Sequence, residues 1–403
     1  MITGVRSVTD GGAIETVGRL PPWASFALIR LALWLLTAFT VLWYPEHGAG
    51  VTVFTAGGKL PSVVFGTFEH WDADWFLGIA RSGDSSDPHR AAYMPAFPEL
   101  VRAGSWIVGS VLVAGVLISF AAAIAGVVYA TRIARDLLGD PVAHDTAVLL
   151  ALYPVALVFT APYSEGLFLF AAAGSLYYAT RGRNWTAGLL AALAVATRVT
   201  GLAVIPALLL LAWPSVRRRG ALALAPLLAL PLASLVAVSA YYQSQVGDSL
   251  AWVHAKGDWG RHIQALGPFD GVWMSAKAAY QAVVGLWGAP GDTEAANLFS
   301  SNLVDFLVLV CSIVLTVAVF RRLGVAWGVY STGLIALATA APVTDGGEVL
   351  QSFPRYVMVD FPLFIVGASL LQGHTSRRGW VLGALTALAT VACIAFSRKL
   401  WVA

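Results

Sequence analysis

Apolar runs near the roughly 20 residues a helix needs to cross about 30 Å of hydrocarbon recur from residue 24 almost to residue 403. Polar breaks divide them into spans near 24–44, 104–131, 146–162, 164–180, 184–198, 199–214, 220–242, 302–320, 324–341, 356–372 and 379–397. No Gly-rich phosphate loop or βαβ pattern interrupts them. The pattern predicts an all-α polytopic membrane protein of about eleven transmembrane helices, a single membrane-embedded domain over residues 1–403.

The polar breaks are of two kinds. Arg132/Arg135, Arg181/Arg183, Arg217 to Arg219, Arg321/Arg322 and Arg377/Arg378 fall on one side of this scheme, as do Arg6 and Arg19. The positive-inside bias makes that side cytoplasmic. The lead over residues 1–22 is read as uncleaved, because Trp43-Tyr44-Pro45 closes the first span like an interfacial end. Two long segments, 45–102 and 243–301, then lie outside and, with the turns at 162–165 and 343–355, carry most of the acids. Chemistry is expected on that face, at the plasma membrane if the Arg-, Ala- and Gly-rich composition marks a bacterial chain.

Composition agrees: 58% of residues are hydrophobic, 12% are charged and the mean hydropathy is +0.74, whereas about a quarter of a soluble chain is charged. The net charge of +3 comes from arginines scattered along the chain, which argues against nucleic acid as a partner. Cys311 and Cys393 each sit inside an apolar run and read as small apolar residues, not as a disulfide or thiolate site.

Residues 68–80 of the first outer segment read as a short interfacial helix. Glu69 and Asp72 share a face at i and i+3, while Trp71 and Trp75 share another suited to headgroup depth. Asp74 lies roughly 200° from Asp72 and beside His70. Solvation of an amphipathic helix is the plain alternative for these acids, as it is for Asp136 and Asp140 beside Arg132 and Arg135. Glu69 and Asp72 differ in having tryptophan neighbours and no arginine in their own turn. In the second outer segment Trp252, Trp259, Phe269, Trp273 and Trp287 recur among few charges and read as lipid contacts.

Trp71-Asp72-Ala73-Asp74-Trp75-Phe76-Leu77-Gly78-Ile79-Ala80, followed by Tyr93-Met94-Pro95-Ala96-Phe97-Pro98-Glu99-Leu100-Val101-Arg102, resembles a signature of the PIG-V-type mannosyltransferases. Pro162-Tyr163-Ser164-Glu165-Gly166-Leu167-Phe168, Ala196-Thr197-Arg198-Val199-Thr200-Gly201-Leu202 and Pro354-Arg355-Tyr356 with Phe361-Pro362 follow in the family's order. Met94 to Pro98 is looser than the family's aromatic-Pro-Leu-Tyr-Pro, and Val199-Thr200 stands where Ser-Asn is usual. These differences leave the identity of the acceptor, a lipid-linked or glycan one, open.

The resemblance implies a GT-C glycosyltransferase fold and an inverting transfer of mannose from a polyprenyl-phosphate-mannose donor. A phosphate leaves as an anion once cations stabilise it, whereas one carboxylate must take the acceptor proton. Asp72 is the candidate base, with Glu69 as helper or substitute. Arg355 and Arg198, at outer helix ends, are candidates to grip the donor phosphate in bidentate fashion. Their plain alternatives are snorkelling or pairing with Glu165 or Asp360. Asp74, His89, Arg90, Tyr93, Glu165 and Tyr356 are candidate substrate contacts, and Arg30 reads as a snorkelling residue. No cofactor is implied; Glu69, Asp72 and Asp74 are hard oxygen ligands, yet their different faces argue against one divalent metal using all three. A transporter or lipid flippase is the rival reading; it predicts midplane sites and an internal repeat, neither of which is visible.

Overall fold

The computed structural model describes residues 20–43, 63–83, 87–285 and 301–402. The expectations for Arg6, Arg19, the Tyr44-Pro45 end and Trp287 lie outside them. Among the described residues there is no strand; the one ladder-like contact is an isolated bridge between Arg261 and Val343. Six helices of the described residues are long and apolar enough to cross a membrane: Pro22–Trp43, Val111–Leu138, Val199–Arg218, Ala221–Val246, Asn302–Arg322 and Thr375–Ser397. Asn184–Thr197, Val325–Thr339 and Phe361–Leu371 are shorter apolar helices beside them.

Most of the expected spans coincide with a helix, but three boundaries are corrected. The 104–131 span divides into Ala96–Val108 and Val111–Leu138. Gly109 adopts a left-handed conformation (φ 75°), and the Ser110 hydroxyl accepts a hydrogen bond from the Val113 N–H, so one helix is stopped and the next capped. The 146–162 span is a helix over Asp140–Leu152 followed by a tight turn at Ala156–Phe159. The 356–372 span begins only at Phe361, because Phe353–Met358 is a separate short helix.

Lipid tails give helices no hydrophobic reason to associate, so contact depends on close approach. Helices Val111–Leu138 and Glu165–Thr180 meet where a Cβ on Gly166 would strike the Ser119 carbonyl and one on Gly126 would lie 2.8 Å from the Phe170 nitrogen. Gly188 likewise brings Asn184–Thr197 against the Pro226 carbonyl of Ala225–Val246. At the far end, Arg378 donates to both Asp145 oxygens at 2.7 and 2.9 Å, tying Asp140–Leu152 to the start of Thr375–Ser397.

Arg30 does not snorkel. It is buried inside the bundle, donating to the Ala151 carbonyl at 3.3 Å and the Thr160 hydroxyl at 3.4 Å. Its position facing Asp140–Leu152 rather than lipid explains the difference.

Gly188→Ala should lower stability by about 1–3 kcal/mol, the usual cost of overpacking a tight contact. Gly383, whose Cβ would meet nothing within 4 Å, should accept alanine with no loss. Thermal melts of both variants in detergent check this; equal melting temperatures would refute the crossing.

Candidate active site

Asp72 is the first residue of the Asp72–Ser82 helix, and Trp71 before it adopts φ 59°, turning the chain sharply into that helix. The helix therefore starts at Asp72 rather than at residue 68, and Glu69 is not on it. Glu69 pairs instead with Arg81 at the surface. The shared face expected for Glu69 and Asp72 does not exist.

Asp72 faces a cavity of about 390 Å³ at one end of the bundle. Its Oδ2 lies 2.6 Å from Arg355 Nη2, and its Oδ1 accepts a hydrogen bond from the Tyr93 hydroxyl at 3.1 Å. Arg355 stands on the Phe353–Met358 helix, steadied by a 2.8 Å hydrogen bond to the Ser352 hydroxyl and flanked by the rings of Tyr163 and Trp401. Glu165, fully buried at the start of Glu165–Thr180, sits between two guanidinia: 2.5 Å from Arg198 Nη1 and 3.7 Å from Arg355 Nη1. Glu165, not Asp360, is thus the shared partner of both arginines. Asp360 accepts from the Ser331 hydroxyl at 2.7 Å.

Arg198 owes its place to a break in the chain. Asn184–Thr197 ends there, and the 3₁₀ turn Val199–Ala203 folds back so closely that a Cβ on Gly201 would stand 2.5 Å from the Ala194 carbonyl carbon. Only glycine fits, which gives the Thr200-Gly201 pair its physical meaning. The Arg198 guanidinium lies 5.0 Å from the centre of the Tyr356 ring.

Asp72, Tyr93, Arg198, Arg355 and Tyr356 all line this cavity, with Glu165 directly behind the arginines. Asp74 is exposed and outside the lining. His89 pairs with Asp87 at 2.8 Å, and Arg90 donates to the Ser82 hydroxyl and the Gly83 carbonyl, each at 2.7 Å. Neither His89 nor Arg90 is among the lining residues. Glu69, Asp74, His89 and Arg90 thus lie outside the lining: Glu69 precedes the helix, Asp74 sits on the helix face turned from Asp72, and Asp87 holds His89 while Ser82 and Gly83 hold Arg90.

Two lining cations were not anticipated, Lys256 and Arg261. They come from the segment over residues 243–301, where the helix Ala251–Asp258 lays Trp252 and Lys256 on one face toward the cavity. Trp252 and Trp259 are therefore cavity residues rather than lipid contacts, and Trp71 and Trp75 line it as well. Phe269 and Trp273 do stay exposed, as expected. The signal available in the sequence was charge: Lys256 and Arg261 lie in a segment that the sequence pattern places outside, where the positive-inside bias disfavours them.

Electrostatics follow the geometry. Burial raises the Tyr356 hydroxyl, but Arg261, Arg198, Lys256 and Arg355 together outweigh it and bring the group down to about 8. Burial also pushes the Lys256 ammonium down. Burial opposes the charge on Arg355, yet Asp72 and Glu165 more than offset it and hold the guanidinium above its ordinary value. Burial and the Asp72 charge push the Tyr93 phenol well up, so it stays a hydrogen-bond donor. The site is a strongly positive pocket with one accessible carboxylate on its wall.

The Mannosyltransferase (PIG-V) family model matches residues 52–212, which include Asp72, Tyr93, Glu165 and Arg198. Over those residues the chain is similar to the PIG-V mannosyltransferases. It is 33% identical over 189 residues to GPI alpha-1,6-mannosyltransferase 2 of Cricetulus griseus, and 32% identical over 155 residues to that of Homo sapiens. Those matches cover 43% and 36% of this chain, and only 38% and 31% of the relatives' own length. ArnT from Cupriavidus metallidurans, solved bound to undecaprenyl phosphate, aligns over 93% of this chain and 62% of its own, with a TM-score of 0.50 at 14% identity. That likeness is one of fold, the multi-helix GT-C arrangement.

A phenolate-absorbance titration of the purified protein should show one tyrosine ionising with a midpoint of about 8, well below the ordinary value of about 10, and Tyr356→Phe should remove that step. A wild-type curve that matches Tyr356→Phe would contradict the cation cluster around this ring.

Proposed function

We propose that this protein is an inverting glycosyltransferase that moves a mannosyl residue from a polyprenyl-phosphate-mannose donor to a lipid-linked or glycan acceptor at the extracytoplasmic face. The observation that carries the reading is one carboxylate, Asp72, on the wall of a cavity whose floor gathers Arg198, Lys256, Arg261 and Arg355. These four cations face two carboxylates, Asp72 and Glu165. The excess of positive charge suits a phosphodiester that gains a further negative charge as it becomes the leaving phosphate, so it favours the transition state over the bound donor.

In the reaction, the acceptor oxygen bonds to the anomeric carbon while the bond from that carbon to the phosphate oxygen breaks, its electron pair leaving with the phosphate. The acceptor proton passes to Asp72. Donor phosphate oxygens compete with Asp72 for the Arg355 guanidinium, and a carboxylate released from an ion pair is the stronger base. Tyr93 keeps Asp72 oriented through its hydroxyl, and Glu165 positions both arginines without reaching the substrate. A mannosyl donor is supported by the family likeness, and a polyprenyl-phosphate carrier by the cationic floor of a cavity set in a membrane bundle.

Asp72→Asn keeps shape and reach but cannot take a proton, and should slow transfer from polyprenyl-phosphate mannose by about 10²–10⁴-fold. Asp74→Asn, altering an exposed residue on the same helix, should turn over normally. Normal turnover in both variants would remove Asp72 as base. Topology is checked separately by cysteines placed at His254 and Asp345 or at Arg218 and Arg377, with Cys311 and Cys393 replaced. Impermeant reagent added to intact cells should label the first pair only; the reverse pattern would overturn an outward-facing site.

A further inference from the structure

The cavity has a second region, chemically unlike its cationic floor. Trp75 stacks on Tyr93 with ring centres 5.9 Å apart and planes within 12°. Trp259 stands across both, 5.3 Å from Trp75 at 79° and 6.1 Å from Tyr93 at 86°. Two outer segments distant in sequence thus build a right-angled aromatic corner, and its tryptophans line the cavity. The Tyr93 hydroxyl joins this corner directly to Asp72. The Trp71–Trp401 pair, 5.1 Å between ring centres, differs, because the Trp401 ring already faces the Arg355 guanidinium at 5.8 Å.

An apolar corner beside a carboxylate does not suit phosphate, which prefers the cations. Nor does it suit a polyprenyl chain, which has no use for an acid or for hydroxyl partners. A pyranose ring suits both halves: its axial C–H bonds present a weakly positive face to the negative face of an aromatic ring, while its hydroxyls need polar partners at the rim. Asp72 supplies one. The Thr200 hydroxyl, buried and without a hydrogen-bond partner among the described residues, is a second polar group of the same lining.

We infer that Trp259, with Trp75, forms a carbohydrate-stacking subsite that holds a pyranose ring against Asp72. The inference rests on the glycosyltransferase reading above and adds the residues that select a sugar. Donor and acceptor sugars share this chemistry, and kinetics distinguish which of them occupies the corner.

The test uses the full chain in lipid nanodiscs with two probes: methyl mannopyranoside, which has no phosphate, and sugar-free polyprenyl phosphate. Saturation-transfer NMR should show signal on the ring C–H protons of the glycoside. Trp259→Ala should lose that signal and weaken binding roughly tenfold, Trp259→Phe should keep most of it, and polyprenyl-phosphate binding should be unchanged in both. Trp273→Ala, altering an exposed tryptophan away from the cavity, is the control and should match the wild type. In transfer assays, a raised KM for the donor alone assigns the corner to the donor sugar, and a raised KM for the acceptor alone assigns it to the acceptor. No ring-proton signal in the wild type, or an equal signal in Trp259→Ala, overturns the subsite. A Trp259-dependent signal without any mannosyl transfer leaves the carbohydrate site standing and removes the transferase reading instead.

Discussion

The arrangement depends on keeping guanidinium charge beside a membrane without free counter-ions. Arg355 is nearly buried, and a charge so placed persists only with a partner at close range. Asp72 and Glu165 together supply it, one at 2.6 Å and the other at 3.7 Å. Because Glu165 also holds Arg198, a single buried carboxylate fixes the spacing of two cations, and the wall carboxylate is left as the member of the network that a ligand can displace. The late start of the Asp72–Ser82 helix, the glycine-dependent turn after Arg198 and the short Phe353–Met358 helix all place one member of this network.

Much of the fold was legible because its causes are local. The arginine clusters at Arg181/Arg183, Arg217 to Arg219 and Arg321/Arg322 fall at helix ends, where a positive-inside pattern requires them. Gly109-Ser110 was an equally local stop and cap, but the continuous hydropathy across it masked the break. The start at Asp72 was not legible, because a non-glycine residue with positive φ such as Trp71 is held by its surroundings rather than by its own propensity.

The site divides in the same way. Arg355, Arg198 and Glu165 stood out as charges inside or beside apolar runs, where the cost of burial makes a charge informative. Lys256 and Arg261 did not, since their tryptophan-rich segment reads equally well as an interfacial one. What turns them inward is non-local: Arg261 donates to the Gln351 carbonyl at 2.5 Å, and Thr344 donates to the Gly260 carbonyl at 2.9 Å, across more than eighty positions of sequence. No spacing rule reaches that far. His89 and Arg90 show the converse, polar residues near the right motif that bond nearby instead, His89 to Asp87 and Arg90 to Ser82 at the end of the preceding helix.

Gly166 follows Glu165 in the chain, and its lack of a side chain lets the helix rest directly on the Ser119 carbonyl and on Ala123. The contact has no compliance: with no side chain between the two backbones, neither helix can slide without the other. The position of Glu165, and with it the separation of the two guanidinia, is set by the seating of one helix on another. Any change in the tilt of one of these helices would therefore reach the charge network through this rigid joint.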